Sequence, residues 1–284
     1  MSATDIPILS SIKSLAAASE GWIVDVWGVM HNGARAFQAA GEACRTFRAG
    51  GGTVLLLSNA PRPFTAVVSQ LDGLGVARAA YDGGVTSGDV ARSLIATWQG
   101  RPLLHIGPAR DRGLFDALQL DFAQAHSAEV IVCTGLFDDE KETPQDYAGL
   151  FAGLVARRVP MICANPDLVV ERGDKLVYCA GALAAEYAVM GGDVSYAGKP
   201  HWPVYGRALA LLDTLRGRPT AKDKVLAIGD GIETDLRGAH VAGLRSVFIA
   251  SAVHTPDGLS QATLRKLFQS RPFQPIAALT ALAW

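Results

Sequence analysis

Residues 22–33 read WIVDVWGVMHNG, and the fold turns on them. The apolar run Trp22-Ile23-Val24 delivers a carboxylate, Asp25, and the glycines Gly28 and Gly33 follow at a short distance. A run of apolar residues without polar alternation fits a strand buried on both faces. A carboxylate at the end of such a strand is costly unless something offsets its charge. In doubly wound sheets, ligands bind beyond the carboxyl ends of the strands. Asp25 is therefore the first candidate functional residue.

Seven further apolar runs share this character: 53–59, 102–107, 129–135, 160–165, 175–180, 224–230 and 246–251. Helical patterns lie between or beside them at 37–49, 63–74, 86–98, 145–158, 181–190, 203–216 and 258–270. Strand–helix alternation argues for an α/β fold with a mostly parallel sheet. The stretches YDGGVTSGD (81–89) and GGDVSYAGKP (191–200) read as loops that could bound an inserted domain. The apolar C-terminal segment, PFQPIAALTALAW, is expected to form a helix packed on the core.

The composition, 49% hydrophobic and 19% charged over 284 residues, is that of a globular chain with ample core. Lys+Arg 26 against Asp+Glu 27 gives a formal charge of -1, which offers no basic surplus for nucleic acid. No apolar run approaches the ~20 residues that span a bilayer. The N-terminus lacks a positive n-region and Asp5 interrupts it, so it does not read as a signal peptide. Cys44, Cys133, Cys163 and Cys179 form no CxxC pair, and the last three follow apolar residues. Buried, reduced thiols and a cytoplasmic setting are the expectation.

Polar residues then recur at the ends of the runs. Asp25 ends the first, Ser58-Asn59 the second, and Gly229-Asp230-Gly231 the seventh, with Asp235 five positions after Asp230. Lys199, within GKP, precedes the helix that leads into that seventh run. Each residue alone has an ordinary reading as a turn, a cap or a surface charge. Together they could hold a phosphate and a divalent metal.

The segments IVDVWGVMHNG, VLLLSNAPRP, ICANPDLVV, AGALAAEYAVMGGDVSYAGKPHWPVY and LAIGDGIETDLRGAHVAG carry a resemblance to haloacid dehalogenase-like (HAD) hydrolases. The chain is most similar to their class IIA, the NagD or 4-nitrophenyl phosphatase type. The resemblance spans roughly residues 20–250. It implies a Rossmann-like parallel-sheet core from residues 1–80 and 196–284, with an inserted α/β cap of the C2 type at 81–195. It also implies Mg²⁺-dependent phosphatase chemistry on a small phosphorylated metabolite, such as a sugar phosphate. Asp25 would attack phosphorus and form an aspartyl-phosphate. Ser58 and Asn59 would donate hydrogen bonds to phosphoryl oxygens, and Lys199 would balance charge. Asp25, Asp230 and the backbone carbonyl of Trp27 would ligate Mg²⁺, an ion suited to hard oxygen donors. Asp235 would support the metal loop from behind.

The first motif departs from the phosphatase pattern. Asp-x-Asp is usual there, and this chain has Asp25-Val26-Trp27. The second aspartate normally protonates the leaving alcohol and then deprotonates water. Indole is a donor only and can do neither. General acid–base catalysis contributes on the order of 10²–10⁴ in rate, so activated esters should tolerate the loss better than sugar phosphates. His31 is a candidate substitute acid/base, with a suitable unperturbed pKa. Two alternatives follow from Trp27: a weakly catalytic or non-catalytic phospho-ligand binder, and a haloacid dehalogenase, whose leaving halide needs no proton. The metal-type GDGIETD loop argues against the second. In the cap, Asn165 and Asp167 of ANPD (164–167) are candidate substrate contacts. Arg110 and Arg112 could meet a second anionic group. The Ala- and Leu-rich helix at 181–190 could support a homodimer.

Overall fold

The strand that carries Asp25, Gly21–Asp25, lies inside a seven-stranded sheet rather than at its margin. The computed structural model describes residues 5–172, 175–251 and 254–284. The spatial order is Ile8–Leu9, Ala277–Leu279, Arg245–Ile249, Val225–Gly229, Gly21–Asp25, Thr53–Ser58, Gly83–Thr86. From Ile8–Leu9 across to Thr53–Ser58 the pairings are parallel. Every residue of Gly21–Asp25, Thr53–Ser58 and Val225–Gly229 is buried, as the unalternating apolar runs require. Trp22 stacks on Phe47 of the helix Gln38–Ala49, with ring centroids 3.9 Å apart and planes 3° apart. That contact fixes the helix to the strand near the strand's amino end.

Register places the site. Asp25 faces Leu57 and Val24 faces Ile228, so Ser58 and Asp230 leave the two neighbouring strands at the same end as Asp25. This is the carboxyl end at which parallel sheets bind ligands.

Contacts divide the chain into two compact units. The first comprises residues 1–58, 68–85 and 205–284 and contains the seven-stranded sheet. The second comprises 59–67 and 86–204. Its five-stranded parallel sheet runs Val194–Tyr196, Met161–Cys163, Val130–Cys133, Pro102–Ile106, Asp121–Phe122. Phe151, Leu154, Leu183 and Tyr187 bring the helices Ala148–Ala156 and Ala180–Val189 into one core with Ile131, Met161 and Cys163 of that sheet.

Four expectations are corrected. The C-terminal segment is not a helix: Ala277–Leu279 is a buried strand between Ile8–Leu9 and Arg245–Ile249. Pro275 disfavours the helical region for Gln274, and the buried slot rewards a short apolar strand more than alanine's helix propensity counts. The run at 175–180 is not a buried parallel strand. Lys175–Tyr178 pairs antiparallel with Val169–Arg172 in a two-stranded ribbon, and Leu176 and Tyr178 are exposed. The loop-like stretch 81–89 holds the edge strand Gly83–Thr86 and the start of the helix Ser87–Ala96, where Thr86 and Asp89 form a reciprocal capping box. Strand Val194–Tyr196 similarly lies within the other loop-like stretch, 191–200.

All four cysteines are free and buried, and burial pushes the Cys44 and Cys133 thiols up to about 12. Among the described residues no helix is long and apolar enough to cross a membrane.

In the second unit, His105 on Pro102–Ile106 shares a hydrogen bond with the Thr134 hydroxyl at 2.9 Å. Burial, and then the positive charge of Arg112, pull its imidazole down to about 4 from 6.5. Between these values the unfolded chain binds a proton that the folded chain does not, so stability falls as pH drops through this window. The thermal midpoint of the wild type should therefore decline more steeply from pH 6.5 to pH 4 than that of His105→Gln. Parallel profiles would contradict the assignment.

Candidate active site

After Asp25 the chain turns back on itself. The Met30 N–H donates to the Val26 carbonyl at 2.9 Å, and the Gly28 N–H to the His31 carbonyl at 2.8 Å. Gly28 has φ +88°, and a Cβ there would lie 2.4 Å from Asp230 Oδ2. Glycine is needed twice over, for the left-handed backbone and for the room Asp230 takes. Asp235 comes from the next turn, where its own N–H and that of Leu236 both reach the Gly231 carbonyl, at 2.8 and 3.1 Å. The second bond spans five residues, a π-type turn of the kind that often marks functional loops. The Gly231 N–H donates to Asp235 Oδ2 at 3.1 Å, and the Tyr205 hydroxyl donates to the Asp235 carbonyl at 2.9 Å.

The outcome is a cluster. Carboxylate oxygens of Asp25, Asp230 and Asp235 lie within 4.8 Å of one another, with Asp25 and Asp235 buried and Asp230 half-buried. Like charges this close oppose one another's ionisation. A divalent cation offsets that repulsion, and an all-oxygen donor set fits a hard ion such as Mg²⁺ or Ca²⁺. Asp235 is closer to the other carboxylates than a residue acting only from behind the loop needs to be. Ser58, buried, ends the strand beside Asp25.

Trp27 packs against its own loop. A Cβ on Gly33, whose φ is +86°, would come 2.6 Å from Trp27 Cη2. The imidazole of His31 meets the indole edge-on at 5.1 Å and 73°. His31 is 1% exposed, and its Nδ1 accepts the Gly33 N–H at 2.9 Å. This ring nitrogen holds the loop together and carries no proton to give. Any acid–base work by His31 is thereby confined to Nε2.

Four predicted residues meet in the second unit. Asn59 Oδ1 accepts the Lys199 N–H at 2.7 Å, and Asn59 Nδ2 donates to the Lys199 carbonyl at 3.2 Å and to Asp167 Oδ1 at 2.8 Å. Asn165 Oδ1 accepts the Asp167 N–H at 3.1 Å. The Asn59 amide thus clamps both backbone groups of a buried lysine, with one Nδ2 donation to its carbonyl and the other to Asp167. The Asn59 side chain therefore holds Lys199 and the loop that carries Asp167. Gly198 makes the clamp possible, since a Cβ there would lie 2.3 Å from Asn59 Oδ1. Ser87 was missed in the sequence. Its hydroxyl, which has no hydrogen-bond partner among the described residues, is buried beside Gly198. The Thr86-x-x-Asp89 capping box was the signal that a helix begins there. Arg110 does not wait for an anion but pairs with Asp139, which also takes Arg172 at 2.7 Å.

Two substitutions test this geometry. Gly28→Ala should lower stability by about 1–3 kcal/mol through backbone strain, read in denaturant unfolding. Asn59→Ala removes three hydrogen bonds, two of them buried and one part-buried, and should cost roughly 3 kcal/mol in denaturant unfolding. A change under about 1 kcal/mol would show that the clamp contributes little.

Comparison with known proteins gives the family. Two family models match, one described as haloacid dehalogenase-like hydrolase over residues 22–121 and one as HAD-hydrolase-like over residues 196–272. A crystal structure of a hydrolase of the haloacid dehalogenase-like family from Brucella suis 1330 is 43% identical, with a TM-score of 0.87, covering 96% of this chain and 99% of that one. A possible sugar phosphatase of the HAD superfamily from Cytophaga hutchinsonii is 18% identical, with a TM-score of 0.79, covering 96% of this chain and 97% of that one. A glycerol phosphate phosphatase from Mycobacterium tuberculosis, solved in complex with calcium, is 24% identical, with a TM-score of 0.61, covering 83% of this chain and 67% of that one. No curated protein matches the chain. With Asp25 at the end of a central parallel strand, both family models on its sequence and a 43% identical relative aligned along nearly its whole length, the chain belongs to the haloacid dehalogenase-like hydrolases.

Proposed function

We propose that this hydrolase is a phosphatase of a small phosphorylated metabolite, working through an aspartyl-phosphate on Asp25 and using Mg²⁺. The observation that carries the reading is the meeting of Asp25, Asp230 and Asp235 at the carboxyl end of the sheet. The phosphatases among the structural neighbours support it, as does the calcium in one of them. The same three carboxylates argue against halide displacement, which needs no cation.

Asp25 Oδ attacks phosphorus in line. A new O–P bond forms as the bond to the leaving oxygen breaks. Water then attacks the same phosphorus as the P–O bond to Asp25 breaks, which returns Asp25 as a carboxylate and leaves both water protons on the released phosphate, as H₂PO₄⁻. Ser58 is the candidate hydroxyl donor to the phosphoryl oxygens. Lys199, held by Asn59, is the candidate cation for them. Asn165 and Asp167 are the candidate contacts to the rest of the substrate. Mg²⁺, when held by Asp25, Asp230 and the Trp27 carbonyl, supplies positive charge against the phosphoryl oxygens. Trp27 gives the leaving oxygen no proton, so unless His31 Nε2 supplies one, that oxygen departs as an anion. Substrates with acidic leaving groups, such as phenols or acyl groups, are the ones this site suits.

Trp27 also favours a second reading, a phospho-ligand binder that turns over slowly. The two separate in one assay of phosphate release with Mg²⁺. Wild type should cleave 4-nitrophenyl phosphate and cleave glycerol phosphate some 10²–10⁴-fold more slowly. Trp27→Asp should recover much of that deficit, and Asp25→Asn should abolish both activities. Phosphate binding without release from either ester, even in Trp27→Asp, would establish the binder instead.

A further inference from the structure

A cavity of about 900 Å³ opens in the second unit beside the end of the strand Pro102–Ile106. Three phenyl rings line it, Phe115, Phe122 and Phe137, together with Arg112, Asp116 and His105. None of these residues takes part in the carboxylate cluster or the Asn59 clamp. The volume falls in the range of small-molecule sites, which are mostly apolar with a few directing polar groups.

The lining has features that the fold itself does not require. Phe122 is 56% exposed and Phe137 50% exposed. Aromatic side chains left open around one concavity mark a surface that binds something. Phe122 stands perpendicular to Phe115 at 5.2 Å, and Phe115 meets His105 edge-on at 4.8 Å, so the rings form a preset corner for another flat ring. Arg112 differs from its neighbour. Arg110 is committed to Asp139, whereas among the described residues no carboxylate forms an ion pair with Arg112. His105, neutral at pH 7 and joined to Thr134, adds no second cation. Asp116 balances the net charge of the lining, so an anion would be met by the one guanidinium and not by a general positive field.

We propose that this cavity binds a small planar aromatic carboxylate, with its ring among Phe115, Phe122 and Phe137 and its carboxylate on the Arg112 guanidinium. A planar fork of donors suits a carboxylate bidentately. The inference is independent of the phosphatase reading.

Calorimetric titration of the full chain with naphthalene-2-carboxylate at pH 7 tests it, with the uncharged naphthalene-2-carboxamide alongside. The carboxylate should bind saturably with one site per chain. Arg112→Ala should weaken it on the order of tenfold, and Phe122→Ala should weaken both probes. The carboxamide should be indifferent to Arg112→Ala. Both residues are exposed, so these variants should keep the wild-type circular dichroism. Asp25→Asn should bind the carboxylate as wild type does. Absence of saturable binding, equal affinity in Arg112→Ala, or loss of binding in Asp25→Asn would each overturn the proposal.

Discussion

Three carboxylates held within 4.8 Å of one another are the constraint around which the first unit is arranged. Parallel pairing brings Asp25 and Asp230 out of adjacent strands at the same end, and a π-type turn folds Asp235 back towards them. Neither arrangement is favourable on its own. The like charges oppose each other, and the loop after Asp25 passes so near Asp230 that Gly28 can carry no side chain. Two of the three carboxylates are buried all the same, and a divalent cation would offset their repulsion.

The second unit uses a different device. One amide, Asn59, joins the chain just beyond Ser58 to Lys199 and to the ANPD loop. A long flexible ammonium loses much rotamer freedom when it is fixed. Holding its backbone by both polar groups lowers what remains to be ordered when a ligand arrives. Asp167 shares the same amide, so the lysine and the loop cannot shift independently without breaking a buried hydrogen bond.

Trp27 is where the chain parts from the usual phosphatase chemistry, and its surroundings are adapted to it. Gly33 clears room for the indole, and His31 braces it edge-on while accepting the Gly33 N–H. The loop is organised around an aromatic ring at the position where a proton donor usually stands. On the proposed phosphatase reading, that ring makes leaving-group acidity a determinant of what the site would turn over.

Much of this was legible in the residues. The unalternating apolar runs marked the buried parallel strands, because a strand covered on both faces has no use for polar side chains. The order of Asp25, Ser58, Lys199, Asp230 and Asp235 named the family and the candidate chemistry. Other features depended on what each segment meets in space. PFQPIAALTALAW carries a helix former's composition, and only an open slot beside Arg245–Ile249 makes it a strand. Lys175–Tyr178 resembles the core strands in composition, but its partner is a neighbouring segment and its face is solvent. Asn59 read as a ligand for phosphate until its amide was found on Lys199, 140 positions away. Sequence by itself determined which segments bury and which residue types are available for chemistry, because periodicity and composition are local properties. Tertiary structure decided the partners, because hydrogen bonds and charge clusters between distant residues exist only once the chain has brought them together.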